Sequence, residues 1–243
     1  MNIHIFDLDW TLCEELWVLS NKMINNLLKL TKKDKIYIVT WRWFKSLKKA
    51  IKNNHYLLNN VIFITENGSK HNKKIYNFSR EEIQEIVSFF EKNLNKIEYF
   101  DFRINEKLYT FSSKKIDDED ENRVYDNTFL NLKTLIYKNL KVISMFYVVF
   151  CDKFHYKFQN VSWIFWNHDL ILTKKWINKS RILGTLKKYS RIFVYWNWEN
   201  DLPLFYYKKH RKFNIWIWKD KKILQLSDIK LKSHVELENY LQR

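Results

Sequence analysis

Strand-like and helix-like segments alternate near the N-terminus of this chain. Short apolar, β-rich segments are separated there by segments in which apolar residues recur at helical spacing. This alternation is typical of a parallel sheet with helices on its faces. The expected strands are Ile3 to Leu8, Lys35 to Thr40 and Val61 to Glu66, and the expected helices are Ser20 to Leu30 and Trp43 to Asn53.

The same alternation is found after about Asp169. Helices are expected over Lys179 to Lys188 and Glu199 to Lys209, and strands over Arg191 to Tyr195 and Phe213 to Ile217. The segment Ser233-His234-Val235-Glu236 has the pattern of a capping box and predicts a final helix.

The middle of the chain is richer in strands. A capping box at Ser79 to Glu82 predicts a helix to about Asn93, and strands are expected over Ile97 to Ile104, Leu108 to Phe111 and Val142 to Phe150. The acidic run Asp117 to Glu121 is interpreted as a solvated loop or helix N-terminus. The sequence therefore predicts an α/β fold, with a Rossmann-like parallel-sheet core over 1–70 and 166–243 and an inserted α+β domain over 71–165.

Composition limits the class of protein. Hydrophobic residues make up 46% of the chain, enough for a buried core, and no apolar run approaches the roughly 18 residues of a membrane span. The N-terminus lacks the layout of a signal peptide. The cysteines, Cys13 and Cys151, are in no metal-binding or redox spacing. A cytoplasmic protein without a membrane partner is expected, and its oligomeric state is not indicated.

The formal net charge of +16 has three interpretations. Mutational drift in an AT-rich genome is the simplest, because the lysines are spread along the chain. Attraction of a phosphorylated substrate is the second. Nucleic-acid binding is the third and the least favoured.

Two carboxylates stand at the end of the first expected strand. Asp7 and Asp9, two residues apart on an extended chain, point the same way. Two like charges at such a short distance repel each other unless a cation or a shared proton lies between them. Oxygen ligands suit Mg²⁺, so this pair is a candidate metal site.

Polar residues also occur at three later segment boundaries, each beside tryptophan. Thr40-Trp41-Arg42 ends a strand, Trp176-Ile177-Asn178-Lys179 opens a helix, and Trp196 to Asp201 follows a strand. With glycine in place of tryptophan, these segments and the first strand become FDLDGTL, VTGR, GINK and GNGENDLPLF. In that form they resemble, in order, the four motifs of haloacid dehalogenase superfamily phosphatases. Asn67-Gly68 resembles a segment of the Cof-type, class IIB subgroup.

The resemblance implies a Mg²⁺-dependent phosphatase with a cap of the C2 type, acting on a sugar phosphate or similar small phosphorylated metabolite. Asp7 would be the nucleophile, Asp9 the general acid and base, and Thr40 and Lys179 would bind the phosphate. Thr11, Arg42, Asn67 and Asn200 are the expected loop-positioning or substrate contacts. The implied metal ligands are Asp7, the Asp9 main-chain carbonyl, Asn197 and Asp201, although the motif usually carries aspartate at the position of Asn197.

Each of these residues also has a structural interpretation. Thr40 could cap a strand, Lys179 could lie at the surface, and Asn200 and Asp201 could cap a helix. Arg42 could contact a substrate phosphate or pair with a carboxylate.

The chain has eleven tryptophans and two glycines, whereas average usage predicts roughly 17 glycines. Our hypothesis is that UGA codons read as glycine in the source lineage appear here as tryptophan, at positions 10, 41, 176, 196 and 198. Trp17, Trp163, Trp166, Trp216 and Trp218 are weaker candidates. If every tryptophan is native, the alternative is an inactive relative that binds single-stranded nucleic acid by stacking.

Overall fold

The computed structural model describes residues 1–13, 17–71, 74–105, 107–112, 123–186, 191–197, 201, 204, 212–217 and 227–242. The chain divides into two compact units. One unit consists of Met1–Asn72 and Asn178–Arg243, and the other of Lys73–Ile177. The second unit is therefore inserted into the first.

The first segment of the discontinuous unit begins with a strand and a helix. Ser20 caps that helix by accepting a hydrogen bond from the main-chain nitrogen of Met23 over 2.9 Å, as expected of an N-terminal serine cap. The elements of this segment are β1 (Ile3–Phe6), α1 (Asn21–Thr31), β2 (Lys35–Val39), α2 (Phe44–Ala50), α3 (His55–Asn60), β3 (Val61–Thr65) and β4 (Lys70–His71).

The inserted unit combines strands with two long helices. Its elements are β5 (Lys74–Ile75), α4 (Arg80–Asn93), β6 (Ile97–Ile104), β7 (Lys107–Ser112), β8 (Arg123–Asp126), α5 (Phe129–Lys138), β9 (Met145–Phe150), β10 (Val161–Trp166) and β11 (Asp169–Lys174).

The final segment returns to the first unit. A 3₁₀ helix over Lys179–Thr185 replaces the α-helix expected over Lys179 to Lys188. It is followed by β12 (Ile192–Trp196), β13 (Lys212–Ile217), β14 (Ile229–Leu231) and α6 (His234–Tyr240). The acidic run 117–121 and most of the helix expected over 199–209 lie outside the described residues.

Strand β1 is at the centre of the discontinuous unit. The strand order is β14-β13-β12-β1-β2-β3-β4, and β1 pairs in parallel with both β2 and β12. The chain builds outward on one side through β2 and β3 and later on the other through β12 and β13. The carboxyl ends of β1 and β12 thus form a topological switch point, where open α/β sheets bind ligands.

Both faces of this sheet are covered within the unit. On one face, Met23, Leu27, Leu47 and Leu57 of the first three helices pack in a cluster with Leu237 of α6. On the other face, Ile182, Leu183 and Leu204 belong to a second cluster that includes side chains of the central strands. Double coverage explains why β1 is buried along its whole length.

In the inserted unit, the strand order is β10-β11-β9-β6-β7-β8, antiparallel except for the β7–β8 pair. Apolar residues of α4 and α5, such as Ile86, Phe90 and Ile136, pack with Phe100 of β6 and Phe146 of β9. The predicted α/β class with an inserted α+β domain is confirmed. The hairpin β10–β11 belongs to the inserted unit, so this unit extends to Ile177 and not to residue 165.

The two expected capping boxes differ. Ser79 and Glu82 form both reciprocal hydrogen bonds at the start of α4. At the start of α6, Ser233 accepts from the nitrogen of Glu236, but the Glu236 carboxylate accepts from Lys232. The second box is therefore only half formed.

Among the described residues, no helix is both long and apolar enough to cross a membrane.

Candidate active site

The predicted site residues lie at the carboxyl ends of adjacent parallel strands. Asp7 directly follows β1, Thr40 follows β2, and Asn197 follows β12. All three are buried. Parallel pairing in register brings these three strand ends to one edge of the sheet.

A buried cation joins two carboxylates at this edge. Lys179 Nζ donates to Asp7 Oδ1 over 2.6 Å and to Asp201 Oδ1 over 2.7 Å. The Lys179 side chain is 0% exposed, so the surface interpretation of this residue does not hold. Asn178 places the lysine by capping the 3₁₀ helix, since its Oδ1 accepts from the nitrogen of Ser180.

The charges of this cluster are unbalanced. Burial raises the pKa of Asp7 well above its usual range, and the charge of Asp201 raises it further against the opposing effect of Lys179. Burial alone would lower the pKa of Lys179, but the charges of Asp201 and Asp7 raise it overall. Lysine therefore stays protonated, and a second cation would favour ionised Asp7.

The oxygen atoms near Asp7 fit a small hard cation. Asn197 Nδ2 donates to the Asp9 carbonyl oxygen over 2.9 Å, whereas the buried Asn197 Oδ1 has no hydrogen-bond partner among the described residues. Turning the amide by 180° would place Oδ1 where Nδ2 lies, close to the Asp9 carbonyl oxygen. The described residues contain no group of three or more His, Cys, Asp or Glu that could hold a metal. The candidate set has only two carboxylates, completed by an amide and a main-chain carbonyl.

The Asp9 side chain is turned toward Arg42. Arg42 Nε lies 2.8 Å and Nη2 2.5 Å from Asp9 Oδ1, and both side chains are buried. Of the two partners expected for Arg42, a phosphate or a carboxylate, the structure places it against a carboxylate. Thr40 Oγ1 lies 3.4 Å from Asp9 Oδ2.

The remaining predicted residues lie in the adjoining loops. Thr11 is fully buried, and its hydroxyl has no hydrogen-bond partner among the described residues. The main-chain nitrogen of Asn67 donates to the Thr40 carbonyl over 3.0 Å, which ties its loop to the end of β2. Asn200 lies outside the described residues.

Gly68 makes a close contact that the motifs did not indicate. Its φ is +97°, and a Cβ atom there would lie 2.4 Å from the Asn178 carbonyl oxygen. Any other residue would push the chain away from Asn178 and move Lys179 with it. The Asn-Gly segment therefore helps to position the buried lysine. In the sequence, the only sign of this contact is the glycine that follows Asn67.

A haloacid dehalogenase-like hydrolase family model matches residues 4–211. The chain belongs to this family. The prediction of an enzyme of this superfamily is therefore confirmed.

Solved structures share the fold of this haloacid dehalogenase-like hydrolase at low sequence identity. A protein from Thermotoga maritima has a TM-score of 0.70 and 19% identity, with 100% of this chain and 97% of that chain covered. A phosphatase of the haloalkanoate enzyme superfamily from Bacteroides thetaiotaomicron has a TM-score of 0.70 and 13% identity, covering 100% and 94%. A subclass IIB sugar phosphatase has a TM-score of 0.61 and 15% identity, covering 100% and 98%. No curated protein matches the chain.

Of the tryptophans that the structure of this hydrolase describes, three have backbone angles that favour glycine. The φ angles of Trp10, Trp17 and Trp176 are 60°, 54° and 65°. A left-handed conformation costs a bulky residue about 1–2 kcal/mol. Trp10 is in the loop that carries Asp9, and its main-chain nitrogen donates to the Cys13 carbonyl over 2.7 Å.

The other tryptophans that the motifs placed at glycine positions differ. Trp41 is not among the residues with positive φ. Trp196 packs against Trp216 of the adjacent strand, with ring centroids 4.6 Å apart, and both are buried. Trp198 and Trp218 lie outside the described residues. The backbone therefore favours glycine at positions 10, 17 and 176, and not at position 196.

Proposed function

We propose that this protein is a Mg²⁺-dependent phosphomonoester hydrolase that works through an aspartyl-phosphate on Asp7. The observation that carries the proposal is the buried contact between Asp7 and Lys179 at the switch point of the sheet. Lysine holds one carboxylate oxygen of Asp7, which fixes the direction in which the other can attack.

The proposed metal ligands are Asp7, Asp201, the side-chain oxygen of Asn197 and the main-chain oxygen of Asp9. All are oxygen ligands, as Mg²⁺ prefers, and the assignment is supported by Asn197 Oδ1, which has no hydrogen-bond partner in the described part of the chain. Bound there, Mg²⁺ would neutralise charge on the carboxylates and on the substrate phosphate.

The first proposed step is phosphoryl transfer to the protein. An Asp7 carboxylate oxygen attacks phosphorus, and the bond between phosphorus and the leaving oxygen breaks. Protonated Asp9 gives its proton to that oxygen, which departs as an alcohol. Lys179 offsets the negative charge on the transferred group, and the Thr40 hydroxyl donates to a non-bridging phosphate oxygen.

The second proposed step returns Asp7 to its starting state. Asp9, now a carboxylate, accepts a proton from a water molecule whose oxygen attacks phosphorus. The bond between phosphorus and Asp7 breaks, and inorganic phosphate is released. Asp9 is then protonated and ready for the next substrate.

A sugar phosphate or a similar small phosphorylated metabolite is the proposed substrate class, and a Cof-type, class IIB phosphatase is the proposed subgroup. The support is the Asn67-Gly68 segment together with the fold likeness to a subclass IIB sugar phosphatase.

The net charge of +16 is the observation behind a second candidate function, the binding of single-stranded nucleic acid without turnover, although this is the least favoured interpretation of that charge. Fluorescence anisotropy with a labelled oligonucleotide distinguishes the two. Tight, salt-sensitive binding by a protein that releases no phosphate would favour the second candidate.

A phosphate-release assay tests the proposed function. The panel contains sugar phosphates, nucleotides and p-nitrophenyl phosphate, with Mg²⁺ or with EDTA. Both the chain with its tryptophans and a version with glycine at positions 10, 41, 176, 196 and 198 are assayed. Release that needs Mg²⁺ and is lost in Asp7→Asn supports the proposal. Metal binding by both versions without turnover on any substrate would refute it.

A further inference from the structure

We propose that Arg42 is a positioning residue that commits one oxygen of Asp9, Oδ2, to proton transfer. This inference rests on the proposed function, because it gives Arg42 a part in the first phosphoryl-transfer step.

The two oxygens of the Asp9 carboxylate have different surroundings. Oδ1 accepts from Arg42 Nε over 2.8 Å and from Arg42 Nη2 over 2.5 Å, and Cys13 Sγ lies 4.0 Å away. Oδ2 has one contact among the described residues, with the Thr40 hydroxyl at 3.4 Å. Because two guanidinium N–H donors occupy Oδ1, Oδ2 is the oxygen left to exchange a proton with the substrate.

Both the guanidinium and the main chain of Arg42 have further hydrogen bonds. Arg42 Nη1 donates to the main-chain carbonyl of Trp17 over 3.2 Å. The main-chain nitrogen of Arg42 donates to Thr40 Oγ1 over 3.1 Å, and its carbonyl accepts from the nitrogen of Glu66. These contacts orient Arg42, and its two hydrogen bonds to Oδ1 in turn orient the Asp9 carboxylate.

The charges of the pair favour this role over direct phosphate binding. Both side chains are buried, with 8% of Arg42 and 6% of Asp9 exposed. An arginine that left Asp9 to bind a phosphate would lose two buried charge-assisted hydrogen bonds to Oδ1, which is costly. Arg42 therefore acts through Asp9.

In the proposed step, the proton on Asp9 Oδ2 moves to the leaving oxygen as the bond between that oxygen and phosphorus breaks. An alkoxide needs this proton, whereas p-nitrophenolate leaves without it. A fault in the position of Asp9 therefore slows alkyl phosphates more than aryl phosphates. The ratio kcat/KM is the suitable quantity, because it reports the steps up to phosphoryl transfer and excludes hydrolysis of the intermediate.

The test measures kcat/KM of Arg42→Lys on an alkyl phosphate and on p-nitrophenyl phosphate. Lysine keeps the positive charge but has a single ammonium group, whereas the guanidinium of arginine presents two N–H donors to one carboxylate. We expect a loss of about 10²-fold on the alkyl phosphate, at least about tenfold larger than the loss on p-nitrophenyl phosphate. Equal losses on both substrates would overturn the inference and indicate direct binding of the phosphate.

A double-mutant cycle gives the second readout. If Arg42 acts only through Asp9, Arg42→Lys causes no further loss on the alkyl phosphate in an Asp9→Asn background. Independent, multiplicative losses would contradict the inference. If Arg42→Lys does not fold, Asp9→Asn combined with Arg42→Gln replaces both buried charges by amides and is compared with Asp9→Asn alone.

These outcomes are separate from failure of the proposed function. If neither the chain with its tryptophans nor the version with glycine at positions 10, 41, 176, 196 and 198 shows Asp7-dependent phosphate release, the function itself is refuted. An active protein with equal losses on the two substrates refutes only the role of Arg42.

Discussion

Lys179 Nζ lies 2.6 Å from Asp7 Oδ1, and neither side chain is more than 4% exposed. A buried lysine that contacts the proposed nucleophile stabilises the negative charge of the carboxylate and occupies space close to the proposed metal ligands. Its effects on metal binding and on turnover are therefore expected to have opposite signs.

Lys179→Met removes the cation between Asp7 and Asp201 and leaves two adjacent carboxylates. We expect Mg²⁺ to bind roughly tenfold more tightly, because a divalent ion then offsets both charges, while turnover falls by about 10²-fold or more. The dependence of the melting temperature on Mg²⁺ concentration measures the binding without any need for activity. Lys230→Met, at an exposed position, is the control. Weaker Mg²⁺ binding by Lys179→Met would contradict this account of the cluster.

Asn197→Asp changes the charge of the proposed metal ligands. The new carboxylate adds a negative charge and removes the amide donor that contacts the Asp9 carbonyl. We expect Mg²⁺ affinity to rise by roughly tenfold, since affinity depends on the charge of the ligands. Isothermal titration calorimetry measures it, with the exposed Asn167→Asp as a control of equal charge change. An unchanged dissociation constant would mean that Asn197 is not a ligand.

Asp7→Asn is expected to stabilise the metal-free protein at neutral pH. Burial raises the pKa of Asp7 above 3.8 in the folded protein. The contribution of the Asp7 carboxyl group to stability is therefore fully present below pH 3.8, where the group is protonated, and it is lost as the pH rises through the raised pKa. The amide avoids the cost and leaves Lys179 paired with Asp201. Chemical denaturation in EDTA is expected to show a gain of about 1–2 kcal/mol at pH 7.5.

Two comparisons check the source of this gain. It should shrink as the pH falls, because Asp7 is protonated in the folded protein below its raised pKa and also in the unfolded chain below 3.8. The exposed Asp152→Asn should show no such pH-dependent gain. A destabilised Asp7→Asn at pH 7.5 would contradict the predicted direction of the shift.

Trp176→Gly is expected to stabilise the protein by about 1–2 kcal/mol, because it relieves a left-handed backbone at a side chain that is 80% exposed. Trp163→Gly is the matched control. Trp163 is 40% exposed but lies in strand β10 and has no positive φ, so glycine there should destabilise. Thermal unfolding measures both. Equal destabilisation by the two substitutions would show that the backbone at position 176 does not favour glycine.

The recoding hypothesis makes a direct chemical prediction. Peptide mass spectrometry of the protein isolated from its source should find glycine at positions 10 and 176, where the backbone favours it, and at positions 41, 196 and 198. Tryptophan at all of these positions, or UGG codons there, would refute the hypothesis. The backbone adds position 17 as a further candidate.

Local patterns predicted the elements that position the site. Apolar β-rich runs identified β1, β2 and β12, and the polar residues that follow them lie together because parallel strands end at one edge. The partner of Arg42 could not be determined, because Asp9 is 33 positions away and the pairing depends on how two loops fold together. The contact of Gly68 with Asn178 is also long-range and leaves no periodic signal.

The boundary of the inserted unit shows a different limit. The sequence predicts that the alternating core returns after about Asp169, whereas Asp169 begins β11 of the inserted unit. A buried strand of an antiparallel hairpin and a parallel core strand can both be short apolar runs, and the antiparallel pairing of β11 with β10 and β9 distinguishes them.

The central claim is that Asp7 is the nucleophile of a phosphoryl-transfer reaction. Borohydride reduction during turnover, followed by peptide mass spectrometry, tests it directly because an aspartyl-phosphate is reduced to homoserine. The account predicts homoserine at position 7 only when a phosphomonoester substrate is present. Phosphate release without modification of Asp7, by a protein whose Asp7→Asn variant turns over equally fast, would contradict it.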